Sequence, residues 1–310
     1  VVDGLGRYEA KARAASSYMN RAGFRGRALE RVQYFVGKER NRRSPGLIVS
    51  PSDFLFSSSS LPGQREDRNG VWLGRLSYQA IAGSFDLFFL PVQAETAVGL
   101  PESNQNSSEA AVRGLYQLQS FDLNVMMGRY RGISRVGFSG QTLVANAYKI
   151  YIEIGTQEEH SIYNGSKKSY PVQSLLGVGY EGSQDFTLRF EYFENGQGLN
   201  SEEFAQMMRM RTMFPSRFGG ATSLSTPFVR QKFLIASLSL PEVQKKYNIT
   251  ASGIGSLEDD SALGIFRFEY LVGDRFIVGL SQPQILGQDG SQYQYRSFDS
   301  QTMADLRFSF

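Results

Sequence analysis

The sequence contains no cysteine, and in 310 residues it has one histidine and one tryptophan. Without cysteine there is neither a disulfide frame nor a thiolate metal site. With His160 as the sole histidine, a multi-histidine metal centre is excluded and an imidazole-activated nucleophile has only one place to be. Long apolar runs are missing too, so no helix of this sequence spans a bilayer. Charged residues are 20% of the chain, below the usual share of about 25%. The net charge of +3 is small and the Lys and Arg are dispersed, which argues against a nucleic-acid surface. No basic-then-apolar leader opens the chain at Val1, so any secretory signal is expected to have been removed or to lie outside this sequence.

What is abundant is aromatic: 23 Phe and 16 Tyr, set among 32 Gly. They fall into segments of roughly ten residues that alternate with period two, the length and pattern of a tilted membrane-spanning strand. In residues 7 to 18, Arg7, Glu9, Lys11 and Arg13 take one face and Tyr8, Ala10, Ala12, Ala14 and Tyr18 the other, although the same composition also suits a surface helix. Leu188, Phe190 and Tyr192 oppose Arg189 and Glu191; Phe266, Phe268 and Tyr270 oppose Arg267 and Glu269; Tyr148, Ile150, Ile152 and Ile154 oppose Lys149, Tyr151 and Glu153. The chain ends on Met303 to Phe310, where Ala304, Leu306, Phe308 and Phe310 oppose Asp305, Arg307 and Ser309. Since lipid offers no partner to backbone groups, a membrane protein without apolar helices must be a closed barrel.

Connections alternate in length. Short ones are expected near residues 83, 144, 182–185, 241–247 and 272, and long ones over 38–70, 93–109, 157–171, 195–230 and 284–301, with short exceptions near 131 and 258 on the long-loop side. Short turns on one rim and long loops on the other are the mark of an outer-membrane barrel, the turns being periplasmic. The expectation is therefore one all-β domain over residues 1–310, a transmembrane antiparallel β-barrel with its C-terminus in the periplasm. About fifteen candidate strands can be marked from Arg7 onward, a single one of them ending at Lys38. Bacterial single-chain barrels have even numbers, so sixteen is expected, with the first strand before Val1, or fourteen if residues 1–20 are helical or peripheral.

Residues 27–56 and 69–79 carry a further pattern: a strand ending at Gly37 and Lys38, a loop with Pro51, Ser52 and Asp53, then a strand beginning near Trp72. In these features, and in the segment from Glu191 to Leu199, the chain resembles porin-like Gram-negative outer-membrane barrels related to the alginate-export family. The resemblance implies a channel in the outer membrane, in contact with lipid and lipopolysaccharide. It also implies a C-terminal signal at Phe308 and Phe310 read by the barrel-assembly machinery.

The candidate chemistry is that of a lumen. The face opposite the aromatics gives Arg7, Lys11, Arg13, Arg75, Arg113, Lys149, Arg189, Arg267 and Arg307 against Glu9, Glu153, Glu191, Glu269 and Asp305. Pairs such as Arg189 with Glu191 and Arg267 with Glu269 would brace the wall, and the positive excess would favour anions in a water-filled pore. His160 lies in a polar loop beside Glu158 and Glu159 without a convincing partner, so no enzymatic role and no cofactor is expected. Residues 258–261 group three acids on a tight turn, a weak calcium candidate against the plainer reading of a solvated turn. Residues 201–214 shift to helical spacing, with Phe204, Met207, Met208 and Met210 recurring, and predict a helix in the long loop. Two functions compete: a passive channel narrowed by the 38–70 loop, or an interaction barrel whose long loops or first-strand edge hold a partner protein.

Overall fold

The computed structural model describes residues 22–39, 43–56, 71–91, 108–130, 132–161, 167–181, 186–213, 228–243, 246–272, 276–288, 290–295 and 302–308. The strands are β1 Ala22–Leu29, β2 Val32–Glu39, β3 Val71–Ala80, β4 Gly83–Leu90, β5 Glu109–Leu118, β6 Phe121–Tyr130, β7 Ile133–Val144 and β8 Tyr148–Gln157. A short hairpin of β9 Glu159–Ser161 and β10 Lys167–Ser169 follows, then β11 Val172–Tyr180 and β12 Thr187–Asn195. After helix α1, Ser201–Met213, come β13 Lys232–Val243, β14 Tyr247–Ser256, β15 Ala262–Val272 and β16 Phe276–Leu286. A helical turn α2, Gln292–Tyr295, precedes β17 Met303–Phe308.

Fifteen strands form one sheet in chain order, every pair antiparallel, with the β9–β10 hairpin set apart as a second, two-stranded sheet. All neighbours are local, the up-and-down arrangement that lets each strand satisfy its backbone groups through the next. The connection lengths follow the alternation expected from the sequence. Two residues join β1 to β2, β3 to β4 and β5 to β6, and three join β7 to β8, on one rim. Residues 40–70, 91–108, 158–171, 196–231 and 287–302 join strands on the other, together with the short links at 131–132 and 257–261.

One difference lies near the start. Residues 22–39 hold two strands turning at Glu30 and Arg31, where a single strand ending at Lys38 is expected. That turn contains no Gly, Pro or Asn to punctuate it, so pattern reading runs through it. The fifteen described strands of the main sheet leave one to reach an even number; the segment from Arg7 to Tyr18 lies outside the described residues.

Alternation decides what each strand buries. In β8, Tyr148, Ile150, Ile152 and Ile154 are exposed outward while Tyr151 and Glu153 are buried inside. The same division runs through Trp72, Leu76, Phe89, Val125, Leu176, Phe190, Leu234, Phe266 and Leu280, all exposed apolar side chains. An outer face this apolar, from the first strand to the last, is far larger than the patch a soluble monomer shows. Aromatics mark the short-turn end of that face: Tyr78, Phe85, Tyr116, Phe121, Tyr148, Tyr270 and Phe276 all sit near strand ends there and are exposed. Rings of this kind sit at the headgroup level of a membrane.

Candidate functional site

The inner face is graded along the strands. Toward the long-loop rim it carries two apolar clusters, with Glu39, Glu153, Glu191 and Asn195 buried among them. Phe35, Val71, Leu73, Phe88, Leu90, Ala111 and Met126 form one on β2 to β6. Tyr151, Leu175, Phe193, Phe233, Ile235, Ile254, Leu263 and Ile265 form the other on β8 to β15. Nearer the short turns the inward positions become Ser77, Asp86, Arg113, Asn124, Ser139, Ser237, Ser252, Arg267 and Ser281, a polar belt buried from bulk solvent.

Residues 43–56 lie inside, between the two clusters. Ile48 belongs to the β8–β15 cluster and Phe54, Leu55 and Phe56 to the β2–β6 cluster. Asp53 ties this loop to itself, accepting the N–H of Arg43 at 3.1 Å and that of Phe56 at 3.2 Å, while its own N–H donates to Ser50 Oγ. Glu153 anchors it to the wall. Its carboxylate accepts from the N–H of Gly46 at 2.6 Å, from the hydroxyls of Ser50 and Ser52 at 3.1 and 2.7 Å, and from the Ser52 N–H at 3.3 Å. Glu191 accepts the Leu47 N–H at 2.5 Å and the Tyr151 hydroxyl at 2.6 Å. Tyr151 reaches it by lying across Gly177, its cross-strand partner, where any Cβ would collide with the ring.

The seat beneath the loop is glycine. Gly137 and Gly155 face each other across β7 and β8. A Cβ on Gly155 would overlap the Pro51 carbonyl, and one on Gly137 would overlap the Ser52 backbone. The Pro51, Ser52 and Asp53 motif thus gains a physical role: backbone against glycine, hydroxyl on Glu153, and a carboxylate closing the loop.

Several sequence-derived site residues take parts different from those expected. Glu153 is fully buried and, with Glu191, holds the loop instead of facing free water. Arg113 is fully buried as well, donating Nη2 to Asp86 at 2.6 Å, with Ser77 Oγ on the same carboxylate and the Phe88 ring 5.0 Å from the guanidinium. Arg75 pairs with Glu39 at 3.1 Å. Arg189 pairs with Glu181 at 2.5 Å instead of with Glu191. Arg267 does bond Glu269, at 2.7 Å, and also Asp305 at 2.7 Å and Ser281 at 2.7 Å. Lys149 sits 5.8 Å from the Tyr151 ring. Arg307 occupies β17 opposite Ile277, and Phe308 opposite Phe276. Arg7, Glu9, Lys11, Arg13 and Phe310 lie outside the described residues.

Sequence reasoning missed Glu39, Asp86 and Glu181. Asp86 hides in the run from Phe85 to Leu90, apolar on both faces but for this one residue, and Glu181 lies in a connection just beyond β11, where alternation no longer assigns a face.

At the long-loop mouth, α1 begins at a reciprocal cap: the Glu203 N–H donates to Asn200 Oδ1 and the Asn200 N–H to Glu203, both at 2.9 Å. Phe204 and Met207 pack with Leu199 and Val229 in a separate cluster, and Lys168 pairs with Glu203 at 3.0 Å. The acidic turn is occupied by backbone: Glu258 accepts the Gln231 and Lys232 N–H groups, and Asp259 those of Ser261 and Gln292. His160 sits in β9 opposite Lys168. Among the described residues no group of three or more His, Asp or Glu is arranged to hold a metal ion.

Comparison with solved structures agrees with this architecture. OccK10 (OpdN) of Pseudomonas aeruginosa superposes with a TM-score of 0.52 at 9% identity, covering 84% of this chain and 77% of that one. OccAB4 of Acinetobacter baumannii gives 0.52 at 8% identity, covering 84% and 68%. The fold is that of an outer-membrane β-barrel. No family model matches the chain, and no curated protein does. A relation to the alginate-export family is not shown by any of these comparisons.

Proposed function

We propose that the chain is a passive channel of the Gram-negative outer membrane, passing small hydrophilic solutes. The observation that carries this reading is the polar belt on the inner wall, from Ser77 and Asp86 round to Arg267 and Ser281, enclosed by an outer face that only lipid can cover. The loop of residues 43–56 sets the width, since it stands between the two walls and is bonded to Glu153 and Glu191. In this placement the short turns and the end of β17 are periplasmic, the long loops meet lipopolysaccharide, and Phe308 with Phe310 is offered to the assembly machinery.

An anion preference would require inward cations without partners. Among the described inward cations Arg75, Arg113, Arg189 and Arg267 carry ion pairs, while Lys149 packs near the Tyr151 ring, so the proposal is a channel with at most a weak anion preference. Reconstitution into planar bilayers tests it: discrete conductance steps with reversal potentials near zero in a salt gradient are expected. A barrel that never conducts overturns it.

The lumen loop, packed between the two walls and bonded to Glu153 and Glu191, favours a second reading, a barrel that holds a partner through its long loops or an open strand edge. It predicts electrical silence together with a stoichiometric partner retained through mild detergent extraction.

A further inference from the structure

On the short-turn side of the Asp86–Arg113 pair, the inner wall of β3 to β7 forms a recess of about 340 Å³ that the lumen loop has not filled, although Arg43 and Pro45 of that loop border it. Its wall is built by register. Gln79 faces Ser84 across β3 and β4, Asn124 faces Ser139 across β6 and β7, and Asp122 faces Gln141 one rung nearer the turn. Asn124 is the informative residue. It is 4% exposed, its Nδ2 donates to Ser139 Oγ at 3.3 Å, and its Oδ1 accepts from no group among the described residues. A buried carbonyl oxygen carries a desolvation penalty until a donor reaches it.

The chemistry of the surroundings selects the donor. Amides present donors and acceptors at fixed separations, and hydroxyls take either role, so this wall matches a solute that alternates the two. The charges cancel: Arg43 is offset by Asp122, whose carboxylate already accepts Gln141 Nε2 at 2.9 Å. An anion would meet Asp122 and a cation would meet Arg43. The size is at the small end of ligand sites.

We propose that this recess is a binding subsite for a neutral polyhydroxylated solute of monosaccharide size, with the side-chain amides of Asn124 and Gln79 on its wall bonding the solute's hydroxyls. The proposal rests on the channel reading above.

Potassium chloride conductance in planar bilayers, titrated with glucose, tests it. Wild type is expected to show saturable block. In Asn124→Leu the half-blocking concentration is expected to rise at least tenfold, and in Gln79→Ala, an exposed position that folding tolerates, at least threefold. Aspartate and lysine are expected to give no saturable block. Block that grows linearly with glucose in wild type, midpoints unmoved in both variants, or tighter block by aspartate would each overturn the subsite while leaving the channel intact. Absence of any conductance in wild type would overturn the channel and the subsite together.

Discussion

At the scale of single residues, the arrangement turns on groups that tolerate no substitute. Gly155→Ala places a methyl against the Pro51 carbonyl, and Gly137→Ala places one against Ser52. The double substitution is expected to lift the loop off its seat and raise single-channel conductance at least twofold with the barrel intact, as judged by its heat-modified mobility on gels. Glu153→Ala removes the acceptor of two backbone N–H groups and two hydroxyls. Each buried donor left without a partner costs about 1–3 kcal/mol, so a looser loop and noisier open-state current are expected. The Asp86–Arg113 pair behaves differently. Asp86→Ala removes the carboxylate paired with a fully buried guanidinium and is expected to cost about 3–5 kcal/mol in urea unfolding from micelles. Asp86→Leu combined with Arg113→Met is expected to recover most of that, because an apolar pair leaves no charge unpaired. Little of this residue-level detail was legible beforehand. Alternation separates Glu153, Glu191 and Arg113, all buried, from the outward apolar residues, but it says nothing of how far a side chain reaches or which loop comes to meet it. Gly137 and Gly155 carry no signal in a chain so rich in glycine.

At the scale of elements, the strands were the most readable part. Where one face meets lipid and the other the interior, period two is enforced at every residue, as in β8, β12 and β15, and the lengths of the connections follow the chain in plain view. Reading failed at Glu30 and Arg31, where β1 turns into β2 without a turn-forming residue. The helix was legible too, from the spacing of Phe204, Met207 and Met208, and its first turn is capped by Asn200. That cap gives α1 a pH dependence. Burial pushes the Glu203 carboxyl up, but the Asn200 backbone hydrogen bond and Lys168 outweigh it and hold the group below the usual glutamate value. A depressed carboxyl contributes stability above its unfolded pKa and loses it as pH falls through the folded one. Amide exchange at the start of α1 is therefore expected to be slow at neutral pH and to accelerate below the ordinary glutamate range, while strand amides stay protected. Glu203→Gln should abolish the change; an unaltered acid response in that variant would refute the assignment.

For the whole molecule, the account depends on which side of the sheet meets lipid. The sequence lacks cysteine, so single labels can be placed without background. The decisive measurement is the relaxation of nitroxide labels at Ile152→Cys, Leu176→Cys and Phe190→Cys in liposomes, compared with one at Arg189→Cys. The three outward positions are expected to respond to dissolved oxygen and to be shielded from a water-soluble nickel chelate, and the inward one to be reached by the chelate. Outward labels as open to the chelate as the inward one would contradict a barrel with its apolar face in lipid, and the channel with it.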